Sequence, residues 1–216
     1  MTKPLIQVAL DNTNITSAVN DARILGPWVD IVEVGTILSY AEGMQATRVI
    51  KAMFPDKTII TDLKIADAGK TLAEMAFNAG CDWTTVICSA SPETKLAAYN
   101  VAMEHNGEVQ IELYGNWTLD DAKSWVDMGI KQAIYHRSRD SQLAGQNWGQ
   151  ADLDKLVLLS QLGLQLSVTG GLVTEDIHLF KNIPVKTFIA GRSLRDAESP
   201  KAYAETMRNE INKYWK

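Results

Sequence analysis

Eight short runs of β-branched and apolar residues alternate with longer amphipathic stretches along the whole chain, and that alternation predicts an α/β fold, a single (β/α)8 TIM barrel. Two further observations favour closure over an open doubly wound sheet. Gly80, Gly107, Gly129 and Gly163 stand where a left-handed helix C-cap is wanted before the next strand, and so mark the bottom of the barrel. The first strand runs into Asp11-Asn12-Thr13 rather than the GxGxxG turn of a dinucleotide-binding sheet. With 216 residues the barrel is compact, and residues 1–216 form one domain with little room for insertions.

The predicted strands are Leu5 to Leu10, Ile31 to Val34, Thr58 to Thr61, Thr84 to Ile87, Val109 to Leu113, Gln132 to Tyr135, Gln165 to Val168 and Thr187 to Ala190. Between them, apolar residues at helical spacing place helices at Thr16 to Leu25, Ala41 to Met53, Ala68 to Asn78, Glu93 to His105, Leu119 to Asp127 and Asp152 to Gln161. A last helix covers Pro200 to Tyr214. No low-complexity tract or Pro/Gly/Ser linker interrupts the series.

Composition narrows the function class. A formal charge of −5 and 26 acidic against 21 basic residues provide no positive field for nucleic acid or an anionic membrane. Met1-Thr2-Lys3-Pro4 leads straight into the first strand with no apolar stretch of signal or membrane-span length, so a soluble cytoplasmic protein is expected. Cys81 and Cys88 are too few for a disulfide framework or a closed zinc site, and both read as inert core thiols.

In such a barrel the chemistry lies at the C-terminal ends of the strands, so the closing residues carry the functional reading. They are Asp11, Glu33, Asp62 with Lys64, Glu112, His136 with Arg139, Thr169, and Gly191-Arg192. Asp11 serves either the turn it begins or a substrate. Glu33, flanked by Val32 and Val34, is costly to bury without a cation. With Asp62 it forms an oxygen-rich pair suited to Mg2+, a reading preferred here to a simple salt bridge with Lys64. Lys64, two residues beyond Asp62, projects to the same side if strand geometry persists, so ammonium and carboxylate converge. Asp67 can cap the next helix, act in catalysis, or both. His136 followed by Arg139 suggests a proton donor or water-positioning pair, whereas His105 and His178 read as surface residues. Gly170-Gly171 and Gly191-Arg192 occupy the loops where barrels build phosphate sites, which points to a phosphorylated substrate.

The segment Asp62-Leu63-Lys64-Ile65-Ala66-Asp67 is a DxKxxD motif, and five further segments accompany it. These are Gln7 to Asp11, Glu33-Val34-Gly35-Thr36, Tyr135 to Asp140, Val168-Thr169-Gly170-Gly171 and Ile189 to Ser193. Together they resemble the orotidine monophosphate decarboxylase suprafamily, and within it most closely the branch that decarboxylates 3-keto-L-gulonate 6-phosphate to L-xylulose 5-phosphate in L-ascorbate utilisation. That resemblance implies a homodimer in which Asp67 reaches into the neighbour's site, and Mg2+ on Glu33 and Asp62. It implies that Asp11 and Thr169 contact substrate, that Gly171, Gly191 and Arg192 hold its phosphate, and that Glu112, His136 and Arg139 line the reacting end. Loss of CO2 leaves an enediolate that Mg2+ and Lys64 would stabilise, and His136 with Arg139 would deliver the final proton, through an ordered water.

Two rivals share the pattern. A 3-hexulose 6-phosphate synthase would use a similar enediolate to capture formaldehyde, but the synthases typically carry other residues at the positions of Glu112, Arg139 and Thr169. A catalytically silent phosphosugar-binding protein would be expected to have lost part of the charge network, all of which is present. Leu63 and Tyr114 depart from the usual Ala and Thr of the decarboxylases, and Tyr114 stands close enough to Glu112 in sequence to narrow the pocket.

Overall fold

The computed structural model of the chain describes residues 2–137, 145 and 147–216. Eight parallel strands close into a ring in sequence order, β1 Leu5–Leu10, β2 Ile31–Val34, β3 Thr58–Ile65, β4 Trp83–Ile87, β5 Glu108–Leu113, β6 Gln132–His136, β7 Gln165–Thr169 and β8 Val185–Ala190. β8 returns to β1 with Leu5 opposite Thr187 and Val8 opposite Ala190, so the expected barrel is what forms.

Helices pack around the ring, α1 Ile15–Leu25, α2 Thr36–Glu42, α3 Met44–Met53, α4 Gly69–Asn78, α5 Pro92–Glu104, α6 Leu119–Asp127, α7 Gln150–Gln161, α8 Arg192–Arg195 and α9 Pro200–Tyr214. Local signals start them. Asn14 caps α1 by accepting from the Ser17 amide, Ser91 caps α5 ahead of Pro92, and Thr118 with Asp121 forms a reciprocal capping box on α6. Among the described residues no helix is long and apolar enough to cross a membrane.

Several boundaries differ from those expected. The helix expected over Ala41 to Met53 is two helices, broken at Gly43, whose φ of 58° and ψ of −155° fit no helix. β7 is followed by a 3-10 turn at Thr174–Phe180 rather than a full α-helix. Gly80, Gly129 and Gly163 adopt the left-handed conformation expected of C-caps, but Gly107 does not, and Asn106 takes that role with φ 54°. Gly107 is small for another reason, since a Cβ there would lie 2.3 Å from the Phe77 ring.

The period of two along each strand sorts the side chains. Ile6, Val8 and Leu10 face outward into the apolar layer beneath the helices, together with Val32, Val34, Ile59, Val86 and Ile111. Alternate residues point into the ring, where Ala9, Ile134 and Ile189 make a small separate apolar cluster. The rest of the interior is polar, with Gln110 Nε2 donating to Gln132 Oε1 at 3.0 Å and Gln7 Nε2 to Glu33 Oε2 at 2.5 Å. Cys81 and Cys88 are buried and free, as expected of core thiols.

Candidate active site

The same period of two brings Asp11, Glu33, Asp62, Glu112, His136, Thr169 and Gly191 to the C-terminal mouth of the ring. There they line a cavity of about 310 Å3 together with Lys64, Tyr114, Gly170, Gly171 and Arg192. This size suits a small phosphorylated metabolite. Of the site residues expected from sequence, Asp67 is exposed and outside the cavity lining, and Arg139 lies outside the described residues.

Lys64 is the hub. Its Nζ donates to Asp62 Oδ2 at 2.6 Å and to both Glu112 oxygens at 2.8 and 2.7 Å. The expected convergence with Asp62 therefore occurs, but not through regular strand geometry. β3 bulges between Thr61 and Ile65, and Lys64 sits in the left-handed region with φ 46°, where its amide donates to Thr85 Oγ1 at 2.8 Å. Burial works against the ammonium charge, yet Asp62 and Glu112 hold its pKa well above that of an ordinary lysine.

The carboxylates are distinguished by their partners. Burial opposes ionisation of Asp62, but Lys64 and hydroxyl donors from Thr36 at 2.6 Å and Thr85 at 2.7 Å keep its pKa below the usual value. Glu33 is the reverse case. Burial, then the charges of Asp62 and Asp11, push it well above the ordinary carboxylate range, and Lys64 and the Gln7 amide offset this only in part. A buried carboxyl crowded by two others is a site that a cation would relieve. Glu33 and Asp62 together present hard oxygen donors, and no group of three or more His, Cys, Asp or Glu among the described residues could hold an ion alone. That donor set fits Mg2+, which keeps most of its positions for water and substrate oxygens and is held by one or two carboxylates.

Glu112 is raised by burial and by Asp62, against the opposing hydrogen bond from His136 and the charge of Lys64. Its Oε1 lies 2.5 Å from His136 Nδ1. On the other side of the imidazole, Nε2 lies 3.3 Å from the Tyr114 hydroxyl, and the two rings pack at a tilt with centroids 4.7 Å apart.

The opposite wall is backbone. Gly170 (φ 111°) and Gly171 (φ 63°) form the loop after β7, and a Cβ on Gly170 would lie 2.2 Å from the Arg137 carbonyl oxygen. Arg137 fixes this loop. Its Nε and Nη2 donate to the Gly170 carbonyl at 3.0 and 2.8 Å while its guanidinium lies 4.7 Å over the Trp148 ring. Ser193 Oγ donates to the Leu172 carbonyl at 2.9 Å and so ties the β8 loop to the β7 loop.

Sequence reasoning missed Gln7, Thr36, Thr85 and Arg137 as site-building residues, and took Tyr114 only as a group that narrows the pocket. Thr85 had a signal, as its inward register on β4 supplies the strand end missing from the expected set. Asp67, offered as a helix cap, is not one. The N-cap of α4 is Ala68, in the left-handed conformation with no side-chain capping bond.

This arrangement of a lysine between two carboxylates, facing glycine loops across a small cavity, coincides with a family-wide match. The sequence profile of the orotidine 5'-phosphate decarboxylase / HUMPS family matches residues 4–207.

The chain belongs to that family.

Within the family it is 52% identical over 215 residues to the 3-keto-L-gulonate-6-phosphate decarboxylase UlaD of Salmonella paratyphi B, covering all of both chains. The crystal structure of 3-keto-L-gulonate-6-phosphate decarboxylase from Vibrio cholerae superposes with a TM-score of 0.94 at 53% identity, again over the full length of both. The Streptococcus mutans KGPDC in complex with ribose 5-phosphate superposes with a TM-score of 0.98 at 44% identity and full coverage of both chains. The family assignment thus rests on the whole barrel, and the resemblance drawn from the DxKxxD motif and its companion segments holds.

Proposed function

We infer that the chain decarboxylates 3-keto-L-gulonate 6-phosphate to L-xylulose 5-phosphate and CO2 in L-ascorbate utilisation. The observation that carries this reading is Lys64 Nζ, held by Asp62 and Glu112 at one wall of a cavity whose other wall is the Gly170-Gly171 and Gly191-Arg192 loops. Full-length likeness to decarboxylases of that substrate supports it.

The loops at Gly170, Gly171, Gly191 and Arg192 hold the phosphate, with backbone amides close to the anion and the guanidinium of Arg192 beside it. Binding energy there orients the reacting end toward Lys64, with Asp11 and Thr169 contacting the sugar between. Mg2+ on Glu33 and Asp62 supplies a positive charge that favours negative charge developing on neighbouring substrate oxygens. Lys64 adds a second cation already fixed in place, so no reorganisation is needed as CO2 leaves and an enediolate forms. Glu112 holds Lys64 and His136 in register. His136 and Arg139 provide the proton that completes the product.

A second copy of the chain completes the site in this reading, with Asp67 contributed across a dimer interface. Its exposure, and the exposed Tyr40, Met75 and Leu96 on α2, α4 and α5, support a partner on this side.

The test is direct. Purified protein with Mg2+ is expected to release CO2 from 3-keto-L-gulonate 6-phosphate faster than it condenses formaldehyde with ribulose 5-phosphate. Dominant condensation, or silence toward both, would overturn the reading.

A further inference from the structure

His136 carries a geometric difficulty as a proton donor, because both of its ring nitrogens are already engaged. Nδ1 lies 2.5 Å from Glu112 Oε1 and Nε2 lies 3.3 Å from the Tyr114 hydroxyl. Both Glu112 oxygens also accept from the Lys64 ammonium, which leaves no position for a carboxyl proton, so Glu112 is an ionised acceptor and Nδ1 keeps its hydrogen. Only Nε2 can exchange a proton, and it faces the phenol. Tyr114 lines the cavity, and its ring lies 5.6 Å from Lys64 Nζ, beside the reacting end.

We propose that Tyr114 is a catalytic residue that relays the proton of His136 to the substrate carbon from which CO2 has departed. The relay rests on the decarboxylase reading and deepens it.

With His136 protonated on both nitrogens, Nε2–H donates to the phenol oxygen and turns the phenol proton toward the cavity. The electron pair left on carbon by CO2 loss takes the phenol proton and forms the new C–H bond. As that O–H bond breaks, the Nε2 proton moves to the phenol oxygen, which ends neutral, and the imidazolium becomes neutral imidazole. One proton crosses from His136 to carbon, and solvent later restores it to the ring. No oxidant or reductant takes part. Burial, followed by the Glu112 charge, raises the pKa of the phenol above its ordinary value, so the hydroxyl remains a protonated donor at neutral pH. Packing of the phenol ring against the His136 ring holds the two groups in contact through successive turnovers.

The experiment compares wild type, Tyr114→Phe, His136→Ala and the double variant for CO2 release and product formation with Mg2+ present. Tyr114→Phe keeps the ring against His136 and removes only the hydroxyl. The relay predicts a fall in kcat of about 100-fold for Tyr114→Phe, at the low end for a general acid, with KM within about twofold. Inhibition by inorganic phosphate should be unchanged, since the glycine loops are untouched. Because the two groups act in series, the double variant should be no slower than His136→Ala alone. Equal thermal midpoints for wild type and Tyr114→Phe separate this effect from loss of structure. Wild-type turnover with an undiminished kcat in Tyr114→Phe overturns the relay and leaves the decarboxylase reading standing. Multiplying losses in the double variant also overturn it, since they place the two groups on separate routes. A wild-type chain without turnover overturns both.

Discussion

Lys64 Nζ lies 2.8 and 2.7 Å from the two oxygens of Glu112, a residue 48 positions further along the chain. Together with the 2.6 Å contact to Asp62, this makes one ammonium the common counter-charge of two buried carboxylates. Lys64→Met would leave Asp62 and Glu112 facing one another without it. The expected cost is roughly 3–5 kcal/mol of stability, as for breaking a buried pair, with loss of CO2 release. Urea unfolding beside the activity assay checks both, and Lys64→Arg should recover stability before it recovers turnover.

Glu33 predicts a pH-dependent response to metal. A carboxyl whose pKa is raised in the folded state holds a proton there that the unfolded chain has released. Without metal, stability conferred by the protonated form is present at low pH and falls as pH climbs from the ordinary value of 4.5 through the raised one. Mg2+ binds the ionised form, so the rise in melting temperature on adding Mg2+ should be small near about pH 5 and larger near about pH 8. Chelator should reverse it, and Glu33→Gln should abolish the pH trend. A constant gain across that range would count against Glu33 as a ligand.

Arg137 is expected to act on binding rather than on chemistry. Two donors from its guanidinium fix the Gly170 carbonyl, and no part of it is needed to move a proton. Arg137→Met should raise KM and weaken inhibition by inorganic phosphate by about tenfold each, the size of one lost charged hydrogen bond, with kcat little changed. Steady-state kinetics with phosphate as competitor reads this directly.

Asp67 gives the sharpest test of a shared site. Lys64→Met and Asp67→Asn should each be inactive as pure proteins. In a two-fold dimer with shared sites, a mixed pair gathers both lesions into one site and leaves the other intact, so remixing equal amounts should restore about a quarter of wild-type activity. No recovery after proven subunit exchange would place Asp67 in its own chain's site or outside the chemistry.

The barrel was legible because two periodicities coexist in the sequence. Inward residues at every second position, such as Ala9 and Asp11 or Ile134 and His136, revealed the strands, and the strand ends revealed the polar mouth. Helix interruptions were harder, since Gly43 breaks one apolar pattern into two helices while other glycines merely end them. The bulge at Lys64 left no signal, because positive φ there is imposed by the fold and Lys has no preference for it. The supporting hydroxyls were hidden for a different reason. Thr36, Thr85 and Tyr114 are ordinary strand and turn residues, and only the closed ring shows that they meet Asp62 and His136.

Ring closure also orders events in time. Arg208 pairs with Asp30 from 178 positions away and donates to the Pro4 carbonyl, while β8 alone supplies the second neighbour of β1. A chain emerging from the ribosome makes Asp11 and Glu33 first and must wait for nearly its whole length before either has a completed cavity to face. Until then β1 carries an open edge, exposed to any other extended chain that passes. Assembly of the catalytic mouth is therefore the last act of biosynthesis, and a late stop that removes β8 would spoil the first-made residues as surely as the last.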